Sequence, residues 1–377
     1  MSRKTIERNI SYDETRKRFY VYHDYGKNVE GKRVRKYSTH ATLTEARRAL
    51  HCFEADRLRQ KLIVPSTVTL GQWLDYWLHE IVRPGRAVST TYGYEKIIEN
   101  HIMPALGDTP LQLLSPIHIQ KYYSSLQEEK GLSPNTVRRH HALLSVALRM
   151  AQRQGMIQDC PMERVFPPRQ VKREPGFYTP DHLKALYAAV EHSWLEPVVR
   201  LAGFLGLRRE EICGLKWSSV DLIRHKITIK EARTSAGGRI IQKETKNTSS
   251  ERVLFLPDSL CEFLQRELLR QEACRYTLGP AWEDSGHVVV NSKGRPCSPN
   301  MVSRGFSRLI KRHGLPKITL HGLRHTFATV ASAQGVPLFE ISKALGHSST
   351  ATTGRIYTHL IDQAQTSAIS SVAAVIQ

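Results

Sequence analysis

The chain is poor in the features that mark membrane, secreted and zinc-bound proteins. Its 377 residues contain no run of 18 apolar residues, so the sequence predicts no membrane-spanning helix. The six cysteines are scattered and none forms a CxxC pair, which argues against a zinc site or a disulfide framework. No HExxH motif is present either. We therefore expect a cytoplasmic protein that needs no metal and no cofactor.

Acidic residues are the minority charge. The chain has 35 Asp and Glu residues against 55 Lys and Arg residues, a formal net charge of +20. Because the excess is spread over every region, it predicts an attraction to a polyanion, and nucleic acid is the favoured partner. A basic protein of the membrane surface is the alternative, but the sequence shows neither an amphipathic basic helix nor a lipidation signal.

Residues 1–62 form the first predicted domain, a small basic α+β unit. Strand-forming residues at Arg18–His23 and Arg33–Tyr37 flank a turn, and a capping pattern at Thr42–Glu45 opens a helix that we expect to reach about Leu62. Lys and Arg outnumber Asp and Glu here by 16 to 8. A solvated basic sheet without a DNA role is the alternative interpretation.

Residues 68–163 form the second predicted domain, a group of four helices. Leu70, Trp73, Leu74 and Trp77 recur at helical spacing and predict one apolar stripe, in which the tryptophans are core residues. The run Val137–His141 can face DNA or can be an ordinary solvated face.

Residues 174–377 form the third predicted domain, which follows a Pro-rich basic linker at 167–175. It reads as mainly helical with one strand insert. Three β-rich segments, Ile227–Ile229, Arg239–Gln242 and Val253–Leu256, predict a three-stranded antiparallel sheet.

The third domain contains the residue types that cleavage of a phosphodiester through a covalent intermediate requires. Such a reaction needs a nucleophile, cations on the non-bridging oxygens, a base, and an acid for the leaving oxygen. A tyrosine phenol, two guanidinium forks, imidazoles and an ammonium can supply these roles. In chain order the candidates are Arg208, Lys246, His321, Arg324, His347 and Tyr357.

The motifs that hold these candidates resemble the active site of the tyrosine recombinase (phage integrase) family. The motifs are Gly206-Leu207-Arg208-Arg209-Glu210-Glu211, His321-Gly322-Leu323-Arg324, Leu345-Gly346-His347 and Ile356-Tyr357, with Tyr357 ten residues after His347. Lys246 begins a segment in which an Arg and then a strand ending in Pro follow, as in the family pattern. Gly322 departs from that pattern, because many members have Asp at this position.

The resemblance implies a role for each residue. Tyr357 would attack the scissile phosphate and form a 3′-phosphotyrosine bond, while Arg208 and Arg324 clamp the phosphate. His321 would accept the phenolic proton and His347 would donate a hydrogen bond to the phosphate. Lys246 would be the general acid and Glu211 would orient Arg208. On charge alone Arg209 competes with Arg208, and Lys243 competes with Lys246.

The resemblance also implies a three-part architecture and its partners. Residues 1–62 would bind arm-type DNA sites, residues 68–163 would be a SAM-like core-binding domain, and residues 174–377 would be catalytic. Double-stranded DNA with core and arm attachment sites, in a bacterial nucleoid, and a homotetramer on that DNA are implied. An excision factor and a host DNA-bending protein stay open. The rival functions are a type IB topoisomerase and a non-catalytic DNA-binding regulator.

Overall fold

The structure is a computed structural model that describes residues 3–27, 32–59, 62–171, 176–244 and 251–346. The chain divides into two compact units, residues 1–172 and 173–377, and the division falls inside the predicted linker. The boundary between the first two predicted domains stays a prediction. In the described ranges, no helix is both long enough and apolar enough to span a membrane.

The first unit begins with a four-stranded antiparallel sheet. Its strands are β1 (Arg3–Glu7), β2 (Ile10–Asp13), β3 (Arg18–Lys27) and β4 (Arg33–His40), paired in chain order. Helix α1 (Leu43–Leu58) follows the Thr42 cap as expected, but it ends four residues before the predicted Leu62. Ile10, Val21 and Ala46 are buried between the sheet and the helix. The sequence analysis missed β1 and β2, which are short strands of five and four residues.

The rest of the first unit contains four helical segments around their own core. They span 70–85, 88–106, 116–128 and 134–153, and the first two each contain a π-helical stretch. In full, the elements are α2 (Leu70–Tyr76), a π-helix (Trp77–Val82), α3 (Arg83–Gly85), α4 (Val88–Ile97), a π-helix (Ile98–Ile102), α5 (Met103–Leu106), a 3₁₀ turn (Leu111–Leu113), α6 (Pro116–Glu128), α7 (Pro134–Arg153) and a 3₁₀ turn (Pro161–Arg164). Trp73 and Trp77 are each 1% exposed, so the prediction that they are core residues is confirmed.

The second unit is mainly helical. Its helices are α8 (Pro180–Val190), α9 (Glu196–Leu205), α10 (Arg209–Gly214), α11 (Asp258–Leu278), α12 (Pro299–Arg312), α13 (Leu320–Ala333) and α14 (Leu338–Leu345), with 3₁₀ turns at Trp217–Ser219 and Gly279–Ala281. The Thr179 side chain caps the N-terminus of α8, and Pro180 is the first residue of that helix, as the sequence predicts. Helices α9 and α13 pack against each other. This packing brings Gly206, at the C-terminal end of α9, next to Arg324 on α13.

The predicted three-stranded sheet of this unit is wrong in its pairing. The strands are β5 (Val220–Asp221), β6 (Lys226–Ile229), β7 (Glu231–Ala236), β8 (Arg239–Glu244) and β9 (Arg252–Phe255). They form a β5-β6-β9 sheet and a separate β7-β8 hairpin. A two-residue turn at Gly237-Gly238, where both φ angles are positive, must pair the segments on its two sides, so β8 pairs with β7. The sequence reading missed β7 because EARTSA is poor in β-branched residues.

Candidate active site

Arg208 lies where helix α9 turns into helix α10. Gly206 ends α9 in the left-handed conformation, and Arg208 is the extended N-cap residue of α10. Glu211, one turn into α10, accepts the Arg208 backbone N–H at Oε2 (2.8 Å) and the guanidinium Nη1 at Oε1 (2.9 Å). The spacing of three residues therefore fixes the arginine locally, while a third of its side chain stays exposed.

Arg209, the competing arginine, is bound elsewhere. Its Nη1 donates to the Ser303 hydroxyl at 2.8 Å, and its Nε and Nη2 donate to Glu210. Its guanidinium is thus engaged with α12 and its own neighbour. This geometry favours Arg208 as the arginine of the candidate site.

Glu211 is held between two guanidinium groups. Besides Arg208, the side chain of Arg252 donates to Oε1 at 3.1 Å and to Oε2 at 2.8 Å. Burial alone would raise the pKa of Glu211, but the hydrogen bonds and charge of Arg252, followed by those of Arg208, outweigh it and lower the pKa. Glu211 is therefore a buried anion at neutral pH.

Arg324 lies on the first turns of α13 and is 2% exposed. Its Nη1 donates to the Gly206 carbonyl at 2.8 Å, and its Nη2 donates to the Leu345 carbonyl at 2.5 Å. These carbonyls belong to the C-terminal ends of α9 and α14, where helix carbonyls lack intrahelical partners. Arg324 therefore links the C-terminal ends of α9 and α14.

Three arginines meet the C-terminus of α14. Arg252 Nε donates to the Ala344 carbonyl (2.7 Å), Arg324 Nη2 to Leu345, and Arg208 Nη2 to Gly346 (3.0 Å). Three successive carbonyls at the negative end of one helix thus accept from three different cations. This arrangement brings Arg208 and Arg324, 116 positions apart in the sequence, to one place.

His321 stands one turn before Arg324 on the same face of α13. Its side chain is exposed, yet enough protein surrounds the ring that partial burial lowers its pKa, and the charges of Arg324 and Arg208 lower it further. His321 is therefore neutral at pH 7 and free to accept a proton. The ring of buried His325 lies 4.7 Å away, edge to face, and burial lowers the pKa of His325 to about 4.

Gly322, which stands where many family members carry Asp, fits its surroundings. A Cβ at this position would lie 2.4 Å from Cγ1 of Ile318 and 3.1 Å from the Gly176 carbonyl. The site in this chain therefore has no room for a side chain there.

Three of the predicted residues lie outside the described ranges: Lys246, His347 and Tyr357. The competing Lys243 belongs to β8, of which the backbone alone is described at this position. Gly346, the last described residue, directly precedes His347 in the sequence. Among the described residues, no group of three or more His, Cys, Asp or Glu side chains could hold a metal ion.

The run Val137–His141 in the first unit does not form a single face. His140 is 1% exposed and bonds the Tyr122 hydroxyl at 2.8 Å through Nδ1. Arg138 donates to a backbone carbonyl, whereas Arg139 is exposed. Of the two interpretations of this run, neither holds for all of its residues.

Arg252 is the residue of this cluster to which the sequence assigned no role. A signal was present, because an Arg several residues after the lysine is part of the family pattern. What the pattern did not show is that Arg252 reaches back 41 positions to Glu211.

Comparisons with known proteins identify the family of this chain. The sequence model described as the phage integrase family matches residues 177–364, and the one described as the phage integrase N-terminal SAM-like domain matches residues 69–127. The chain belongs to the phage integrase family of tyrosine recombinases. It is thus a DNA breaking-and-rejoining enzyme of the integrase type, and the SAM-like fold of its helical region is confirmed.

A similar curated protein is a tyrosine recombinase XerC-like protein of Caldanaerobacter subterraneus, 27% identical over 97% of this chain and 99% of that protein. The integrase of the transposon Tn1549, solved with circular intermediate DNA, has a TM-score of 0.65 at 20% identity, covering 77% of this chain and 95% of that one. A lambda integrase tetramer bound to a Holliday junction has a TM-score of 0.59 at 20% identity, covering 94% and 96%. These structures show that the integrase fold is shared.

Proposed function

We propose that this integrase cuts and rejoins double-stranded DNA through a 3′-phosphotyrosine bond at Tyr357, and so integrates and excises a mobile element. One observation carries the proposal. Arg208, Arg324 and the neutral His321 come together around the end of α14, next in sequence to His347. Two guanidinium groups beside a proton acceptor suit a phosphodiester that a phenol attacks.

Each step follows from the chemistry of these side chains. The Tyr357 oxygen attacks phosphorus while His321 takes the phenolic proton. Arg208 and Arg324 stabilise the charge on the non-bridging oxygens, helped by a hydrogen bond from His347. The bond to the 5′ oxygen breaks, and Lys246 supplies the proton that makes a 5′ hydroxyl.

The reverse reaction joins strands. The 5′ hydroxyl of a partner duplex attacks the phosphotyrosine, restores a phosphodiester and releases Tyr357. Because the energy of the broken bond is kept in the protein–DNA bond, no ATP is needed. Arg208 and Arg324 supply the positive charge that a metal pair would otherwise supply to the transition state. We therefore propose that the reaction is independent of both ATP and a divalent metal.

DNA is the proposed partner of all three predicted domains: 1–62 for arm sites, 68–163 for core sites and 174–377 for catalysis. In the first of these, the sheet face opposite α1 is rich in aromatic and basic groups. The Arg3 guanidinium lies 3.9 Å from the Tyr20 ring and donates to the Tyr22 hydroxyl, and Tyr37, opposite Tyr22, is 58% exposed. Such a face suits a phosphate backbone with stacking or groove contacts.

A homotetramer on two duplexes is part of the proposal, since strand exchange needs four cleavages. The lambda integrase neighbour was solved as a tetramer bound to a Holliday junction. An excision factor and a host DNA-bending protein are the accessory partners that the proposal leaves open.

The test is a covalent-adduct assay in EDTA. The substrate is a nicked duplex that carries a candidate core attachment site and is called the core duplex below. Wild type should form a denaturant-resistant protein–DNA adduct and Tyr357→Phe should not. Tyr276→Phe is the matched control, because Tyr276 is 92% exposed in the same unit and should leave the adduct unchanged.

The rival functions give different results. If wild type binds the core duplex and forms no adduct, the protein is a DNA-binding regulator. If it forms the adduct and relaxes any supercoiled plasmid as a monomer, without joining two duplexes, it is a topoisomerase of type IB. An adduct that persists in Tyr357→Phe would contradict the proposed nucleophile.

A further inference from the structure

We infer that Arg252 is a positioning residue of the strand-cleavage reaction, acting through Glu211 and Arg208. The inference rests on the proposed function above. It assigns to a buried arginine, outside the six candidate catalytic residues, the task of holding the phosphate clamp in place.

The first support is the shared carboxylate. Each oxygen of Glu211 accepts one bond from Arg208 and one from Arg252, at distances between 2.8 and 3.1 Å. Glu211 therefore cannot turn toward one arginine without loosening its bonds to the other. Since Arg208 is the more exposed of the two, the buried Arg252 is the fixed side of this bridge.

The second support is the end of α14. Arg252 donates through Nε to the Ala344 carbonyl, two residues before the Gly346 carbonyl that binds Arg208. Gly346 also packs on the guanidinium itself, because a Cβ there would lie 2.8 Å from Nη1 of Arg252. One side chain thus fixes both the carboxylate and the helix end that orient Arg208.

The third support is the choice of residue. A planar guanidinium can bind a carboxylate with two parallel bonds and still donate through Nε in a third direction. An ammonium group lacks that geometry. A buried ion pair is weak support for stability by itself, so a geometric role explains the arginine better than a purely stabilising one.

The alternative routes are folding alone and an effect through Lys246, which precedes Arg252 by six positions. Two substrate analogues separate them. In a methylphosphonate, an uncharged methyl group replaces one non-bridging oxygen of the scissile phosphate. Its cleavage therefore depends less on the arginines that stabilise the charge on those oxygens. A 5′-bridging phosphorothiolate has a leaving group that needs no general acid.

The experiment measures single-turnover cleavage by full-length Arg252→Met on the core duplex with each of three scissile groups: phosphate, methylphosphonate and 5′-phosphorothiolate. We expect a loss of roughly 100-fold on phosphate, the size that a small misplacement of a catalytic group can cause. On methylphosphonate the loss should shrink to less than about 10-fold. On the phosphorothiolate it should stay as large as on phosphate.

Arg233→Met is the matched control, since Arg233 is as buried as Arg252, lies in the same unit and is not bonded to Glu211 in the described contacts. It should change stability without changing the ratio of the phosphate and methylphosphonate rates. Equal losses on all three substrates, or a loss relieved by the phosphorothiolate instead, would overturn the inference.

Arg252→Lys covers the case in which Arg252→Met does not fold. If Arg252 acts through Arg208, the rate penalty of Arg252→Lys should largely disappear in an Arg208→Lys background, whereas independent effects would multiply. Multiplying penalties would also overturn the inference. Failure of wild type to form any adduct would speak against the proposed function instead, so the two failures are distinguishable.

Discussion

Replacing Glu211 with Gln should strongly destabilise the second unit. The carboxylate accepts four hydrogen bonds, two at each oxygen, from Arg208 and Arg252. A Gln amide keeps one acceptor oxygen, so whichever way it turns, two donors face an NH₂ group. It also removes the negative charge and leaves Arg252 buried without its main counter-ion.

The magnitude follows from the burial of the pair. The side chains of Glu211 and Arg252 are 4% and 7% exposed, and breaking such a buried pair costs about 3–5 kcal/mol. The bonds to Arg208 add less, because that side chain is 34% exposed and water can replace them. At about 2–4 °C per kcal/mol for a unit of this size, Tm should fall by roughly 10 °C.

The assay is scanning calorimetry of the full-length chain, with hydrogen exchange of peptides covering 196–214 to assign the transition. Glu267→Gln is the control. Glu267 is also buried and bonds Arg270 and Gln271, but Arg270 is 53% exposed and stays solvated, so its loss should cost about 1 kcal/mol. Equal destabilisation by the two substitutions would refute the reasoning.

The same variant has a pH signature. The folded pKa of Glu211 is lowered, so its contribution is present above its ordinary pKa of 4.5 and is lost as the pH falls through the folded value. The stability difference between wild type and Glu211→Gln should therefore be constant from pH 7 to about pH 5 and shrink at lower pH. A difference that grows on acidification would contradict this assignment.

Three other predictions follow from the geometry. Gly346→Ala should cost about 1–3 kcal/mol and slow cleavage, because φ is +64° and the new Cβ would meet Arg252; Gly335→Ala, at φ +79° with open space, tests the strain alone. Cleavage should be flat from pH 8 to 6.5 and fall at lower pH as His321 gains a proton; a decline that begins above 6.5 would contradict its lowered pKa. Burial lowers the pKa of His140 to about 4, so urea unfolding should show a loss of roughly 3 kcal/mol as the pH falls from 6.5 to 4, and a His140→Phe variant that loses as much would contradict this cause.

Much of the candidate site is local in sequence and could be predicted from spacing. Glu211, three residues after Arg208, can bond it because an N-cap residue and the third residue of the helix lie close to each other. His321 and Arg324 share a face of α13 for the same helical reason. The burial of Trp73 and Trp77 could be predicted equally well, because the helical spacing of the apolar residues shows which side of the helix is buried.

The pairing of strands that are distant in the sequence could not be predicted from the sequence. Strand β9 has the same strand propensity whichever strand lies beside it, and only the tertiary structure shows that it pairs with β6. In the run Val137–His141, composition could not show that His140 turns inward to Tyr122 while Arg139 stays exposed.

By itself, the sequence determined the residue types, their order and the helical turns that present them, because those depend on bonds between near neighbours. Tertiary structure decided that Arg208, Arg252 and Arg324 converge on the end of α14. That convergence depends on how whole helices pack, since unpaired carbonyls at a helix end can be satisfied by any donor that packing brings within reach. The spacing of residues in the sequence identifies the candidate catalytic residues. Only the packing of the helices and strands determines which arginines bind the same carboxylate.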